Sequence, residues 1–254
     1  MKIQPIRSLV GALFVACLLS ACNRAPQAAA AAPTPLRVFA AASLTASFQA
    51  IAAAFEQQQP AHRVELNFAG TPQLVLQLRE GADADVFASA DVPNMTKVQE
   101  LGAVVDAPVE FVRNQLVIVV RAGNPKAVRG LADLARADLT VALCGPEVPA
   151  GKYARQVLQG AGVAVRSVSD EPSVKAVVAK VQLGELDAGL VYATDVGVPG
   201  VEAVALPAEH NVVASYPIAV LGRGRNRAGA VAFVAFVRSD AGRAILQKHG
   251  FVLP

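Results

Sequence analysis

The chain has 254 residues, a net charge of +3 from 23 basic and 20 acidic residues, three cysteines, no tryptophan and only 5% aromatic residues. A charge so close to balance gives no footing for nucleic acid, and so few rings supply no stacking platform for bases or sugars. Three cysteines spread over this length do not make a disulfide framework, so a packed core must carry the stability.

Residues 1–21 read as an export signal. Lys2 and Arg7 form a basic start, the apolar stretch from Leu9 to Leu19 is shorter than the ~18 to 20 residues of a membrane span, and small residues follow. Leu19, Ser20, Ala21 and Cys22 resemble the lipobox of bacterial lipoproteins. That resemblance implies cleavage before Cys22, a lipid on its sulfur, and attachment in the periplasm or at the outer face of the cell membrane. Cys17 then leaves with the signal and Cys144 stays alone. NRAPQAAAAAPTP, from Asn23 to Pro35, has the proline and alanine bias of a spacer, so 22–35 reads as anchor and flexible linker. No later apolar run is long enough to cross a bilayer, because charges or prolines break each one.

From Leu36 onward, short apolar runs alternate with helical patterns, which argues for an α/β domain with a largely parallel sheet. LRVFAA is a strand, after which Leu44, Phe48, Ile51 and Phe55 share one helix face, with Ser43 at the joint. RVELNFA leads through Gly70, Thr71 and Pro72 into a helix carrying Leu74, Leu78 and Leu76. ADVFASA precedes a helix from Val92 to Leu101. LVIVV, from Leu116 to Val120, is the most strand-like run and ends in the turn signal Ala122, Gly123, Asn124, Pro125. GLADL starts a short helix, LTVALC is a strand, and Pro149 to Gln159 is a helix. VRSVSD is a strand before a helix from Ser173 to Leu183, which Gly184 is placed to end. DAGLVYATD and SYPIAVLG are further strands, and AGAVAFVAFVRSDAGRAILQKHG closes the chain as helix. The size suits two small lobes better than one doubly wound sheet. With crossings at Phe111 to Val120 and Tyr216 to Leu221, lobe I takes 36–112 and 218–254, lobe II takes 113–217, and a ligand lies in the cleft between them.

Four joints share one arrangement, a strand end, a small or hydroxyl residue and a helix start. They are Ala42-Ser43-Leu44, Gly70-Thr71-Pro72, Val148-Pro149-Ala150-Gly151 and Glu171-Pro172-Ser173-Val174. Taken singly, each such joint is more often a plain helix cap. Together they could do more, because every helix start presents free amides and a partial charge of about +0.5. Open α/β sheets also bind ligands beyond the carboxyl ends of their strands. Such ends facing one cleft would form a donor-rich anion site without lysine or arginine, suited to a fully ionised oxyanion.

FAAASLTASF, NFAGTPQL, GADADVFASAD, RNQLVIVV, EVPAGKYARQVL and GLVYATDV, in this order, resemble the periplasmic molybdate-binding proteins of ABC importers, from Leu36 to Phe251. The resemblance implies a two-lobed periplasmic-binding-protein fold of type II, each lobe a mixed sheet flanked by helices. It implies capture of molybdate, and of tungstate, by a monomer that needs no cofactor and delivers its ligand to an ABC permease. Position by position, it places the ligand on Ser43 through hydroxyl and amide, on Thr71, on the backbone amides of Ala150 and Val174, and on the hydroxyl of Tyr192. Metal enters only as the molybdate oxyanion, through the same residues. Many relatives have serine where Thr71 stands, some have a run of serines where this chain has Gly70, Thr71 and Pro72, and Pro72 cannot donate a hydrogen bond.

Competing chemistries find little support. Asp83, Asp85 and Asp91 could suggest a metal site but read equally as a solvated loop and a helix cap. His62, His210 and His249 lack metal-ligand spacing, and no G-x-S-x-G elbow surrounds a serine. Cys144 could act as a nucleophile in a hydrolase if a histidine met it, but a lone cysteine at a strand end more commonly packs as a small hydrophobe. A receptor of the same fold for sulfate is harder to separate, because the donors that suit molybdate suit sulfate too. The sequence therefore argues for a binding protein and not an enzyme.

Overall fold

The computed structural model describes Met1 and residues 34–254, so the signal segment, Cys22 and nearly all of the 22–35 spacer lie outside the described residues. Residues 34–254 belong to one compact unit. In chain order it runs β1 (Leu36–Ala41), α1 (Thr45–Gln58), β2 (Val64–Ala69), α2 (Thr71–Arg79), β3 (Val86–Ala88), α3 (Val92–Glu100) and β4 (Val109–Arg121). There follow β5 (Val141–Cys144), α4 (Pro149–Gly160), β6 (Ser167–Glu171), α5 (Val174–Leu183), β7 (Ala188–Tyr192), β8 (Val201–Ala205), β9 (Val213–Val220), α6 (Arg227–Arg238) and α7 (Asp240–Lys248).

The strands lie in the order β2-β1-β3-β9-β4-β7-β5-β6, with β8 also on β4. β4 is the shared spine. Its first half, through Gln115, pairs with β9, and from Leu116 it pairs with β7 and β8. Two wings of sheet therefore hang on one strand. The expectation of a largely parallel sheet holds only away from this spine, where β1 pairs parallel with β2 and β3, and β5 with β6 and β7. At the centre β3–β9, β9–β4, β4–β7 and β4–β8 are all antiparallel. The chain passes from one wing to the other on β4 and returns beside it on β9, and an out-and-back path runs antiparallel.

Periodicity places α1 correctly. Phe48, Ile51 and Phe55 are buried, and Phe55 meets Phe233 and Phe236 of α6 edge-on at 5.3 and 5.7 Å between ring centres. Each buried aromatic of this kind contributes about 1.5 to 3 kcal/mol. Gly184 ends α5 in the left-handed region at φ 78°, as the sequence predicts. Two expectations hold and gain detail. The closing segment is two helices, because Ser239 adopts an extended conformation and caps α7 by accepting from the Gly242 amide at 3.3 Å. The short GLADL helix is a 3-10 turn at Leu131–Ala135.

Candidate functional site

The strand-to-helix joints open onto one small cavity. The β1–α1 joint contributes Ala42 and Ser43, β2–α2 contributes Gly70 and Thr71, and β3–α3 contributes Ala90. From the other wing come Val148, Pro149 and Ala150 before and in α4, Ser173 and Val174 at α5, and Tyr192 at the end of β7. Ser43, Thr71, Ala150, Val174 and Tyr192, the five residues singled out in the sequence, are thus brought together, each 5% exposed or less. No lysine or arginine lines the cavity. Its empty space is about 210 Å³ counted with the open mouth, below the several hundred Å³ that organic ligands occupy.

Ser43 does not cap its helix. A 3-10 turn at Ala42–Leu44 precedes α1, the residues in cap position are Ala41 and Leu44, and neither turn nor helix has a side-chain cap. The extra turn carries the start of α1 past the serine and leaves its Oγ free to meet the Tyr216 hydroxyl at 3.0 Å, where either atom can donate. Tyr216 is fully buried on β9, and the Asn114 amide, which donates to Thr194 Oγ1 at 2.8 Å, also reaches its hydroxyl at 3.5 Å. The serine is therefore held from behind by the spine of the sheet.

Thr71 is the first residue of α2, Val174 the first of α5, and Ala150 the second of α4 after Pro149. Amides in these positions have no intrahelical partner. Pro149 has no amide to orphan, which makes that of Ala150 the first available donor of α4. Gly151 lets this helix start sit directly on the end of β5, since a Cβ there would lie 2.3 Å from the Cys144 carbonyl oxygen. At α5 the Ser173 hydroxyl caps by accepting from the Ala176 amide at 3.3 Å, so it leaves the Val174 amide unclaimed.

Tyr192 is the anomaly of the site. Its side chain is 1% exposed, and among the described residues its hydroxyl has no hydrogen-bond partner. The ring packs edge-on against Tyr216 with 5.6 Å between centres. Burial, followed by the neighbouring Tyr216 phenol, pushes the Tyr192 hydroxyl well above the ordinary phenol range. It therefore stays protonated and remains a donor. Orphaned buried donors are rare, and a donor that lines a cavity of open helix starts is explained by an acceptor that enters the cavity.

The other candidates have structural employment. Asp85 accepts from the amides of Arg37 and Asn226, both at 2.7 Å, Asp91 caps α3 through the Asn94 amide, and Asp83 pairs with Arg225 at 2.7 Å. Among the described residues no group of histidine, cysteine and carboxylate side chains is arranged to hold a metal ion. Cys144 is fully buried, and that burial raises its thiol away from the reactive thiolate. Sequence reasoning missed Ala90 and Tyr216. Ala90 stands at a fifth joint of the same kind, FASADVP, where Asp91 and Pro93 mark a helix start. Tyr216 gives no local signal, since its pairing with Ser43 spans the sheet.

A two-winged α/β body whose joints converge on a small cavity of unpaired donors is built for reversible capture of a solute. The chain belongs to the bacterial extracellular solute-binding protein family, whose profile matches residues 36–252. It is 42% identical over 252 residues to the molybdate-binding protein ModA of Mycobacterium tuberculosis, covering 97% of each chain. The periplasmic molybdate-binding protein of Azotobacter vinelandii shares its fold, with a TM-score of 0.75 at 22% identity over 86% of this chain and 99% of that one. So does the sulfate-binding protein SubI of Mycobacterium tuberculosis, with a TM-score of 0.77 at 19% identity over 86% of each. The fold is the two-lobed one of periplasmic binding proteins, common to receptors named for different anions. The proteins it resembles are solute receptors and not enzymes.

Proposed function

We propose that the protein captures molybdate, and tungstate with it, and delivers the anion to an ABC permease. The observation that carries the reading is the unpartnered Tyr192 hydroxyl beside three open helix starts in a cavity without lysine or arginine. Ser43 and Thr71 would grip the oxyanion from one side, and the Ala150 and Val174 amides with Tyr192 from the other. The Ala150 and Val174 amides donate and cannot accept, and the Ser43 hydroxyl is shared with Tyr216, so the site offers few acceptors to a phosphate that still carries a proton and favours a fully ionised dianion. The identity to the tuberculosis molybdate-binding protein over nearly the full length supports molybdate as that dianion.

In this reading residues 36–112 and 218–254 form one lobe and 113–217 the other, and the ligand selects the closed arrangement because only there do both lobes reach it. The chain acts as a monomer tethered by a lipid on Cys22 after removal of residues 1–21, with 22–35 as its linker. Calorimetry of the domain against molybdate, tungstate, sulfate and phosphate tests the ligand. Dissociation constants of about 1 μM or tighter for the first two, and binding of sulfate at least a thousandfold weaker, are expected. Tight binding of sulfate alone would replace molybdate with sulfate as the cargo. Cys22→Ser should release the protein from membrane fractions, and a variant that stays with them would remove the lipid anchor.

A further inference from the structure

Gly70 stands one residue before Thr71, and Pro172 stands two before Val174, so the approach of Gly70 to Pro172 is the seam beside which the two wings meet at the cavity. A Cβ built on Gly70 would lie 2.1 Å from the Pro172 carbonyl oxygen. Real contacts of that length do not occur, and neither side can bend away easily. Gly70 is the residue before α2, its carbonyl accepting from the Gln73 amide at 2.9 Å and from Leu74 at 3.2 Å. Pro172 lies between Glu171, which closes the β5–β6 pairing opposite Cys144, and the Ser173 cap of α5. The ion pair across these wings, Lys97 to Glu147 at 3.7 Å, joins two exposed flexible side chains that can yield, and α5 also packs near the Ala42–Leu44 turn. Gly70 also has no conformational need to be glycine. Its φ of −56° and ψ of 137° are open to any residue.

We infer that Gly70 is the steric gauge of cleft closure, a specificity-determining position whose missing side chain sets how near Thr71 comes to Val174 and hence which oxyanion both can hold at once. This rests on the cleft being the oxyanion site. With the Pro172 carbonyl where it stands in this chain, a side chain at position 70 holds the wings apart by on the order of 1 Å, which is enough to take a hydrogen bond of 2.9 Å beyond its working range. The space required exists only in the open arrangement, so the ligand-free protein tolerates the change.

The test is Gly70→Ala, with Gly70→Val as the larger step. Ligand-free Gly70→Ala should melt at the wild-type temperature or higher, since alanine in an ordinary backbone conformation restricts the unfolded chain. Affinity for whichever of molybdate, tungstate and sulfate the wild type binds should fall at least tenfold in Gly70→Ala and become undetectable in Gly70→Val. Small-angle scattering should show ligand-induced compaction in the wild type and less of it in Gly70→Ala. Affinity within twofold of wild type with full compaction overturns the inference. So does a Gly70→Ala protein that no longer folds, because the clash would then not belong to closure. Wild-type binding of sulfate and not molybdate would end the molybdate reading while leaving the gauge to be measured with sulfate.

Discussion

The two sides of the cavity offer donors of different kinds. On one side stand the hydroxyls of Ser43 and Thr71 beside the open Thr71 amide, and the Ser43 hydroxyl is already engaged by Tyr216 at 3.0 Å. On the other stand the amides of Ala150 and Val174 and a Tyr192 hydroxyl engaged by nothing. Through Ser43 the first side shares an atom with the fold, so damage there should cost stability as well as binding. The second side holds its donors in reserve. Its amides survive any change of side chain, and only a change of backbone can remove them.

The largest effect is expected from removing one of those amides. Val174→Pro puts proline at the first helical position, where its fixed φ suits a helix, after an extended Ser173, which suits the residue before a proline. The helix should survive while the donor is lost and a ring carbon takes its place. We expect molybdate affinity to fall by on the order of 100-fold or more, with a melting temperature close to wild type. Affinity within threefold would show that this amide does not reach the ligand.

Smaller and more diagnostic is a pair of hydroxyl deletions. Ser43→Ala and Tyr192→Phe should each cost about 1.5 to 3 kcal/mol of binding, the worth of a hydrogen bond to a charged group. Their stabilities should diverge. Ser43→Ala leaves the buried Tyr216 hydroxyl with only the long contact from the Asn114 amide, costing about 1 to 3 kcal/mol, at ~2 to 4 °C of melting temperature per kcal/mol. Tyr192→Phe removes a hydroxyl that had no partner, so the ligand-free protein should melt at the same temperature or higher. Equal losses of stability in melts without ligand would erase the contrast between the two sides.

Much of this contrast was legible in the sequence, and the reasons are local. A strand end followed by serine, threonine or proline and then by helical periodicity is written in a few consecutive residues, so Thr71, Ala150 and Val174 were found at helix starts as expected. Ser43 was legible as a joint but not as what it is. Whether a helix begins with a 3-10 turn depends on a few degrees of backbone rotation, and that turn decides whether the hydroxyl caps the helix or meets Tyr216. The antiparallel spine was not legible, because strand pairing between β4 and β9 joins residues about a hundred positions apart and leaves no mark on either strand's own pattern. Likewise Gly70 reads as a turn residue, and only the nearness of the Pro172 carbonyl shows that space, and not conformation, calls for glycine there.

The subtlest expected effect concerns a carboxylate behind the unengaged side. Asp195 lies three residues after Tyr192, is fully buried, and meets the Lys175 ammonium at 3.0 Å, although neither carboxylate oxygen has a well-formed hydrogen bond. Burial raises its pKa above the ordinary aspartate value, with Lys175 opposing. Between the unfolded and the raised folded pKa, the folded protein holds a proton that the unfolded chain has released. Stability therefore falls as pH rises through that window, and the loss is complete above the folded pKa. Asp195→Asn removes the titration. Ligand-free melts from pH 4 upward should show the variant gaining on wild type as pH rises and levelling once wild-type Asp195 is ionised, each kcal/mol appearing as ~2 to 4 °C. The attraction of Lys175 for the ionised carboxylate is already contained in the folded pKa, so the slope is the quantity to read. A difference that stays constant across the range would mean that the ion pair with Lys175 outweighs burial and keeps Asp195 ionised throughout. The unengaged side of the site would then carry a settled charge pair behind Tyr192, and the incoming anion would meet a neutral wall at every pH.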